Sequence, residues 1–172
     1  MLVLSKVKFI SDLHLGHKNI TKYRKQFFSV QEHDSFVLEN ILSNISKRDT
    51  LWVLGDICFT KEAFAKFSDI INYCGYLNII VGNHDSSNKY AQEIQSMLLA
   101  IADNFHSLKN FNGYWLSHAP IHPEELRGKL NIHGHTHSHN IGDDRYINVS
   151  CENTNYKPIN FQDIKAGWLT AK

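Results

Sequence analysis

Short apolar runs in this chain stop, one after another, at clusters of aspartate, histidine and asparagine. VKFI (Val7–Ile10) runs into Ser11-Asp12-Leu13-His14, LWVL (51–54) into Gly55-Asp56, and YLNIIV (76–81) into Gly82-Asn83-His84-Asp85. Later, YWLS (Tyr114–Ser117) meets His118, and LNIH (Leu130–His133) meets Gly134-His135-Thr136-His137. Apolar runs this short, bounded by Gly, Asn and Asp, have the length of buried strands rather than helices. In open α/β sheets, ligands collect beyond the carboxyl ends of the strands. Five strand ends that deliver Asp, His and Asn therefore demand a fold that brings those ends to one edge.

The segments between the strands agree. Residues 30–45 place Phe36, Val37, Asn40, Ile41 and Ile45 at helical spacing. Residues 62–73 do the same with Phe64, Phe67, Ile70 and Ile71 before Gly75, and 90–102 forms a further helix. Beyond that point the pattern changes to short strands at 105–109, 114–117, 130–133 and 145–150, with Asn112-Gly113 as a hairpin turn and a short closing helix at 161–168. Strand and helix alternate in the first half and strands dominate the second, which predicts an α/β fold of two packed sheets with helices outside. The 172 residues suit one domain spanning 1–172, with no internal repeat, low-complexity tract or linker. Hydrophobic content of 42% with 20% charged residues is that of a globular protein.

Charge and cysteine usage exclude several classes. Eighteen basic and 17 acidic residues leave a net charge of +1, so no basic face for long nucleic acid is expected. Cys58, Cys74 and Cys151 are odd in number and include no C-x-x-C pair, which argues against a disulfide framework or zinc knuckle and for a reducing compartment. The start, MLVLSKVKFISD, carries lysines within its apolar stretch and reads as a first strand rather than a signal peptide. No apolar run approaches the ~20 residues needed to span a bilayer. A cytoplasmic protein without membrane contact is expected; the sequence carries no signal for its oligomeric state.

Each polar cluster has an ordinary reading when taken alone. Asp12 beyond a strand can cap or turn, Gly55-Asp56 can be a plain turn, and a tract such as NIHGHTHSHN can be solvated. Asn-His-Asp directly after an apolar strand is a less usual turn. The whole ordered set, each member following a strand, is what surface decoration does not explain.

That set, D-x-H, GD, GNHD, H and GHxH, resembles the calcineurin-like metallophosphoesterase superfamily from Lys8 to about Ser150, and SDLHLGHKNI and NIHGHTHSHN resemble its small, cap-less members from bacteria and their phages. The resemblance implies a four-layer α/β/β/α sandwich of two mixed sheets flanked by helices. It implies a binuclear centre in which Asp12, His14, Asp56 and His137 hold one ion, and Asp56, Asn83, His118 and His135 the other. Mixed oxygen and imidazole donors suit divalent transition metals, Mn²⁺ first, with Fe, Zn²⁺ or Ni²⁺ as alternatives. Two such ions ~3.5–4 Å apart ionise a bridging water that attacks phosphorus in line. His84 corresponds to the general acid that protonates the leaving oxygen, and Asp85 to a brace for the turn. In the GHxH segment, Gly134 is expected to let the backbone turn, His133 to support the site from behind, and His139 to be solvated.

Substrate contacts are expected from Asn83 and His84, with His17 at the rim and Arg24 and Lys25 as phosphate contacts weighed against a solvated helix face. His122 belongs near the mouth and Tyr156 at the site's edge. His33 and His106 read as surface or structural, and Trp52, Phe64 and Phe67 as core. The second motif, GDICFTKEAF, lacks the D-R-G continuation of the serine/threonine protein phosphatases, and the length leaves no room for a cap. The expected activity is therefore a phosphodiesterase acting on a small phosphate ester such as a cyclic or short nucleotide. The alternatives are a phosphomonoesterase or nucleotidase on the same site, and a catalytically silent interaction scaffold.

Overall fold

The computed structural model describes residues 6–87 and 90–167. Its first half contains β1 (Val7–Ile10), α1 (Ile20–Tyr23), α2 (Val30–Leu42), β2 (Thr50–Val53), α3 (Lys61–Ser68), β3 (Tyr76–Ile80), α4 (Asn83–Ser87) and α5 (Ala91–Ile101). The second half contains β4 (Asn104–His106), β5 (Leu108–Phe111), β6 (Tyr114–Ser117), β7 (Leu130–His133), β8 (Tyr146–Asn148), α6 (Cys151–Thr154), β9 (Ile159–Asn160) and α7 (Phe161–Lys165). Five strands form one sheet in the order β4-β3-β2-β1-β9, and four form the other in the order β5-β6-β7-β8. Both are mixed. β1 to β4 run parallel with β9 antiparallel at the edge, while β6, β7 and β8 run parallel with β5 antiparallel.

The pleat sends successive residues of each strand to opposite faces. On the first sheet, Ile10, Leu51, Val53, Leu77 and Ile79 meet Val37, Ile41, Phe64, Phe67, Ile94 and Leu98 of α2, α3 and α5. The other face carries Phe9, Trp52, Leu54 and Ile80 against Leu116, Ile132, Ile147 and Val149 of the second sheet. Because the first sheet is buried on both faces, its strands read as continuous apolar runs. Trp52, Phe64 and Phe67 are buried as expected. The outer face of the second sheet is covered thinly, by the loop and 3-10 turn at Pro123–Leu126, where Leu126 accepts a hydrogen bond from Trp115 Nε1 (3.2 Å). The two-sheet, helix-flanked sandwich is the expected architecture.

Helix starts follow local chemistry. Ser29 Oγ caps α2 by accepting from Glu32 N (3.1 Å), and Thr60 Oγ1 caps α3 by accepting from Ala63 N (3.1 Å). The helix expected at 62–73 tightens to a 3-10 turn at Asp69–Asn72. The single strand expected at 105–109 is two strands: β4 completes the first sheet, and after Ser107 the chain crosses to open the second as β5. No Gly or Pro marks that break, because it is set by which sheet offers a partner. Asn112 and Gly113 (φ 48° and 86°) make the expected hairpin turn between β5 and β6. The closing helix ends at Lys165, and Trp168 lies outside the described residues. Among the described residues, no helix is long and apolar enough to cross a membrane.

Candidate metal centre

The ends of the parallel strands converge where the two sheets join. Ser11, just past β1, bridges Ser150, just past β8, and Ser11 N donates to Val149 O (3.0 Å). The loop after β1 is laced to the loop after β2 by Asp12 N to Gly55 O (3.0 Å), His14 N to Asp56 O (2.9 Å) and Leu15 N to Ile57 O (2.9 Å). Asp12, His14, Asp56, His135 and His137 all have positive φ, between 49° and 68°. Side chains other than glycine pay in strain for this backbone region, and such strain concentrates where the surroundings over-determine a functional geometry. Asp85 supplies part of that restraint as expected: buried, it accepts from Asp56 N (2.8 Å), Ile57 N (2.9 Å) and Gly82 N (2.8 Å).

Two glycines are needed for close approach. A Cβ on Gly82 would collide with Asp56 N and Oδ1, and one on Gly134 with Ser11 Oγ and Asp12 Oδ2. Gly134 does not have positive φ, so the expectation that it turns the backbone is corrected: its role is to let the β7 loop lie directly on the Asp12 carboxylate.

Six of the seven expected ligand positions come together as two clusters, and the seventh, Asn83, lies against the second. Asp12, His14 and His137 form one, and Asp56, His118 and His135 the other. In the second, His118 Nε2 lies 3.3 Å from Asp56 Oδ2, 2.9 Å from Asn83 Oδ1 and 3.2 Å from His135 Nδ1, which is itself 3.0 Å from Asn83 Oδ1. Ligand bonds of ~2.0–2.2 Å place neighbouring donors of one shell roughly 3.0–3.5 Å apart, so these spacings fit a single ion. The first cluster is wider: Asp12 Oδ1 is 3.8 Å from His14 Nε2 and 3.9 Å from His137 Nε2. Asp56 Oδ2 faces it as well, 3.7 Å from His14 Nε2. Asp56 Oδ1 is held by His84 N (2.9 Å).

Orphaned atoms show that the residues fit a cation. Asp12 Oδ1, His14 Nδ1 and His14 Nε2 are buried without a hydrogen-bond partner, an arrangement that is costly unless a ligand completes it. The other Asp12 oxygen is satisfied, accepting from His135 N and Ser150 Oγ at 2.9 Å each. His118 Nδ1 donates to Leu54 O (2.7 Å), which fixes the tautomer and leaves Nε2 as the donor to an ion.

The electrostatics point the same way. Burial would raise the carboxyls of Asp12 and Asp56, but the surrounding imidazoles, His14 and His118 foremost, hold both below the usual carboxylate range and therefore ionised. Burial lowers His14 and keeps its ring neutral, the form that binds metal. Burial also acts to lower His118, yet the Asp56 and Asp12 carboxylates carry it up to about 9. An ion bound there would displace the proton this ring holds.

The remaining expected residues are placed unevenly. His84 is the second residue of α4, half-buried, its ring 5.6 Å from that of His14 and 5.2 Å from that of Phe59. His17 lines a cleft of about 520 Å³ beside the first cluster, together with His14, Ile20, Tyr23, His84 and His137. Burial and the nearby His14 bring His17 down to about 4. Arg24 is not on a solvated face. It is 3% exposed, and its guanidinium is committed to Glu152, Leu13 O, Asp12 O and His33. Lys25 is exposed. His122 caps the Pro123–Leu126 turn, accepting from Glu124 N (3.4 Å). Tyr156 is buried beneath Arg24 and packs on Phe27 and Phe36 rather than lining the cleft. His33 is fully buried against Arg24 and Asp34, and His106 stacks on Trp52. His133 is buried with Nδ1 2.8 Å from Gly134 O, and His139 is exposed.

Sequence reasoning missed Glu152, whose Oε1 lies 3.0 Å from His137 Nδ1, and the Asn148–Ser150 pair that carries Asp12. A signal existed: Glu152 follows the strand at 145–150 as the other site residues follow theirs.

Two mixed sheets join at an edge that presents two histidine–carboxylate clusters suited to metal ions, an α/β sandwich with a candidate metal centre. The chain belongs to the calcineurin-like phosphoesterase superfamily: the Calcineurin-like phosphoesterase superfamily domain matches residues 6–151. It is 31% identical to the Gene 66 protein of Mycobacterium phage L5 over 163 residues, covering 78% of this chain and 79% of that protein. It is 29% identical to the uncharacterized protein MJ1445 of Methanocaldococcus jannaschii over 170 residues, covering 91% of this chain and 87% of that one. Among solved structures, the Aquifex aeolicus protein AQ665, of unknown function, superposes with a TM-score of 0.73 at 25% identity, covering 94% of this chain and 98% of that chain. The chain is thus a metallophosphoesterase-family hydrolase.

Proposed function

We propose that the chain is a binuclear metal-dependent phosphodiesterase that hydrolyses a small nucleotide-type phosphodiester. The observation that carries this reading is Asp56, whose Oδ2 faces His118 Nε2 at 3.3 Å and His14 Nε2 at 3.7 Å, so that one carboxylate serves both clusters. Asp12, His14, Asp56 and His137 would hold one ion, and Asp56, Asn83, His118 and His135 the other. Two divalent ions there, Mn²⁺ favoured by the mixed donor set, would neutralise phosphate oxygens and activate a water near neutral pH.

The chain's own groups supply the rest. Asn83 contributes a neutral amide in place of a further carboxylate, which leaves the site more cationic for an anionic ester. His84, on the wall of the cleft, hands a proton to the leaving oxygen. The cleft of about 520 Å³ falls within the ~300–1,000 Å³ of small-molecule sites. It takes the alcohol portion of the ester, with His17 and Tyr23 on its wall. Its open shape leaves room for the second arm of a diester.

The test compares hydrolysis of bis-p-nitrophenyl phosphate and p-nitrophenyl phosphate by Mn²⁺-loaded protein, with Asp56→Asn as the blank. Preference for the diester is expected. A marked preference for the monoester overturns the diesterase assignment, and silence toward both esters in metal-saturated protein favours the scaffold.

A further inference from the structure

The two clusters are oriented by different means. His118 is set by a backbone carbonyl, Leu54 O, inside the sandwich. His137 sits on the loop after β7 with its side chain 42% exposed, and it is set by a side-chain relay. Glu152 Oε1, from α6, accepts from His137 Nδ1 at 3.0 Å, which leaves Nε2 turned toward Asp12. The same oxygen accepts from Arg24 Nε at 2.8 Å.

Arg24 is itself clamped. Its Nη2 donates to Asp12 O (2.6 Å) and its Nη1 to Leu13 O (3.2 Å) and His33 Nε2 (2.7 Å). Since the guanidinium can only donate, His33 Nε2 is the acceptor and His33 Nδ1 donates to Asp34 Oδ1 (2.9 Å). Asp34 Oδ2 then accepts from Gly16 N (2.9 Å). The relay Asp34–His33–Arg24–Glu152–His137 therefore grips both the loop that carries Asp12 and His14 and the imidazole that approaches from the other sheet. It makes no contact with Asn83, His118 or His135 through any of these bonds. Arg24 also neutralises Glu152, so this carboxylate orients an imidazole.

We propose that Arg24 and Glu152 are positioning residues for the Asp12–His14–His137 cluster, and that binding of one ion depends on them while binding of the other does not. The inference rests on the two-ion reading above. It follows from the general behaviour of carboxylates that hold a ligating histidine, whose loss weakens metal affinity by about 10–100-fold.

The experiment is calorimetric titration of metal-stripped protein with Mn²⁺, together with metal content after desalting. The wild-type chain is expected to take two equivalents. Glu152→Gln and Arg24→Gln are expected to keep one equivalent at wild-type affinity and to bind the other about 10–100-fold more weakly. Glu152→Asp, which retains the charge beside Arg24 but withdraws the oxygen from His137, is expected to weaken the same ion and guards against misfolding of the Arg24 variant. A thermal melt of each metal-free variant separates loss of the ion from loss of the fold. Two equivalents at unchanged affinity in Glu152→Gln, or equal weakening of both, overturns the proposal. Fewer than two equivalents in the wild-type chain overturns the two-ion reading itself, and the proposal with it.

Discussion

His84 and His137 face the same cleft, yet they are assigned different work, and substitution separates them. His84→Gln is expected to lower kcat by about 10²–10⁴-fold with metal content unchanged, measured by kinetics alongside elemental analysis. His137→Ala is expected to abolish activity and remove one ion, and His139→Ala to do neither. The four alternating histidines of NIHGHTHSHN look equivalent in sequence, but His133 is buried against Gly134 O, His135 and His137 enter separate clusters, and His139 is exposed. Which strand end each residue follows was legible. The reason for Gly134 was not, because the atoms it must avoid, Ser11 Oγ and Asp12 Oδ2, belong to a different sheet. Gly134→Ala should therefore cost about 1–3 kcal/mol of stability from overpacking and displace Asp12, read as a lower denaturant midpoint together with weakened metal binding.

Among the elements, the strongly periodic ones were legible: β1 to β3, α2 and α5 lie where apolar spacing puts them. α4 and α6, NHDSS and CENT, carry no apolar period, and they form because the chain turns sharply beyond β3 and β8. Phe67, fully buried on α3 between that helix and the first sheet, is a site where Phe67→Ala should cost about 3–5 kcal/mol in chemical denaturation. Asp49 ties the turn before β2 to β1. It accepts from Ser46 N (2.9 Å), Ser46 Oγ (3.1 Å) and Lys6 N (3.3 Å), and pairs with Lys8 Nζ (3.2 Å). Burial would raise its carboxyl, but Lys8 and Ser46 hold it below the unfolded value. A lowered folded-state value means this stabilisation is present above the unfolded pKa of about 3.9 and is lost as pH falls through the folded one. Asp49→Asn should accordingly destabilise the protein at pH 7, and the difference from wild type should shrink as unfolding is followed below pH 4.

Across the molecule, the site lies where the two sheets meet, so ion binding should be coupled to overall stability. Metal at 100 times its dissociation constant adds about 2.7 kcal/mol per site, worth roughly 5–10 °C in a chain of this size. Treatment with a chelator should lower Tm by that amount for each ion removed and Mn²⁺ should restore it, while unchanged Tm would count against metal binding to the folded state. The apolar runs and the polar residues that end them are contiguous, so the chain alone specified most of the strands, the two packed sheets and the residue types at the joined edge, but neither the division of 105–109 between two sheets nor the edge strand β9. Partnerships between distant residues left no such mark. Arg24 reads in sequence as a phosphate contact or a solvated cation, and it is the fold that buries it against Glu152, 128 residues away. The burial of a charge depends on what packs over it, and that is settled only once both sheets and α6 are in place.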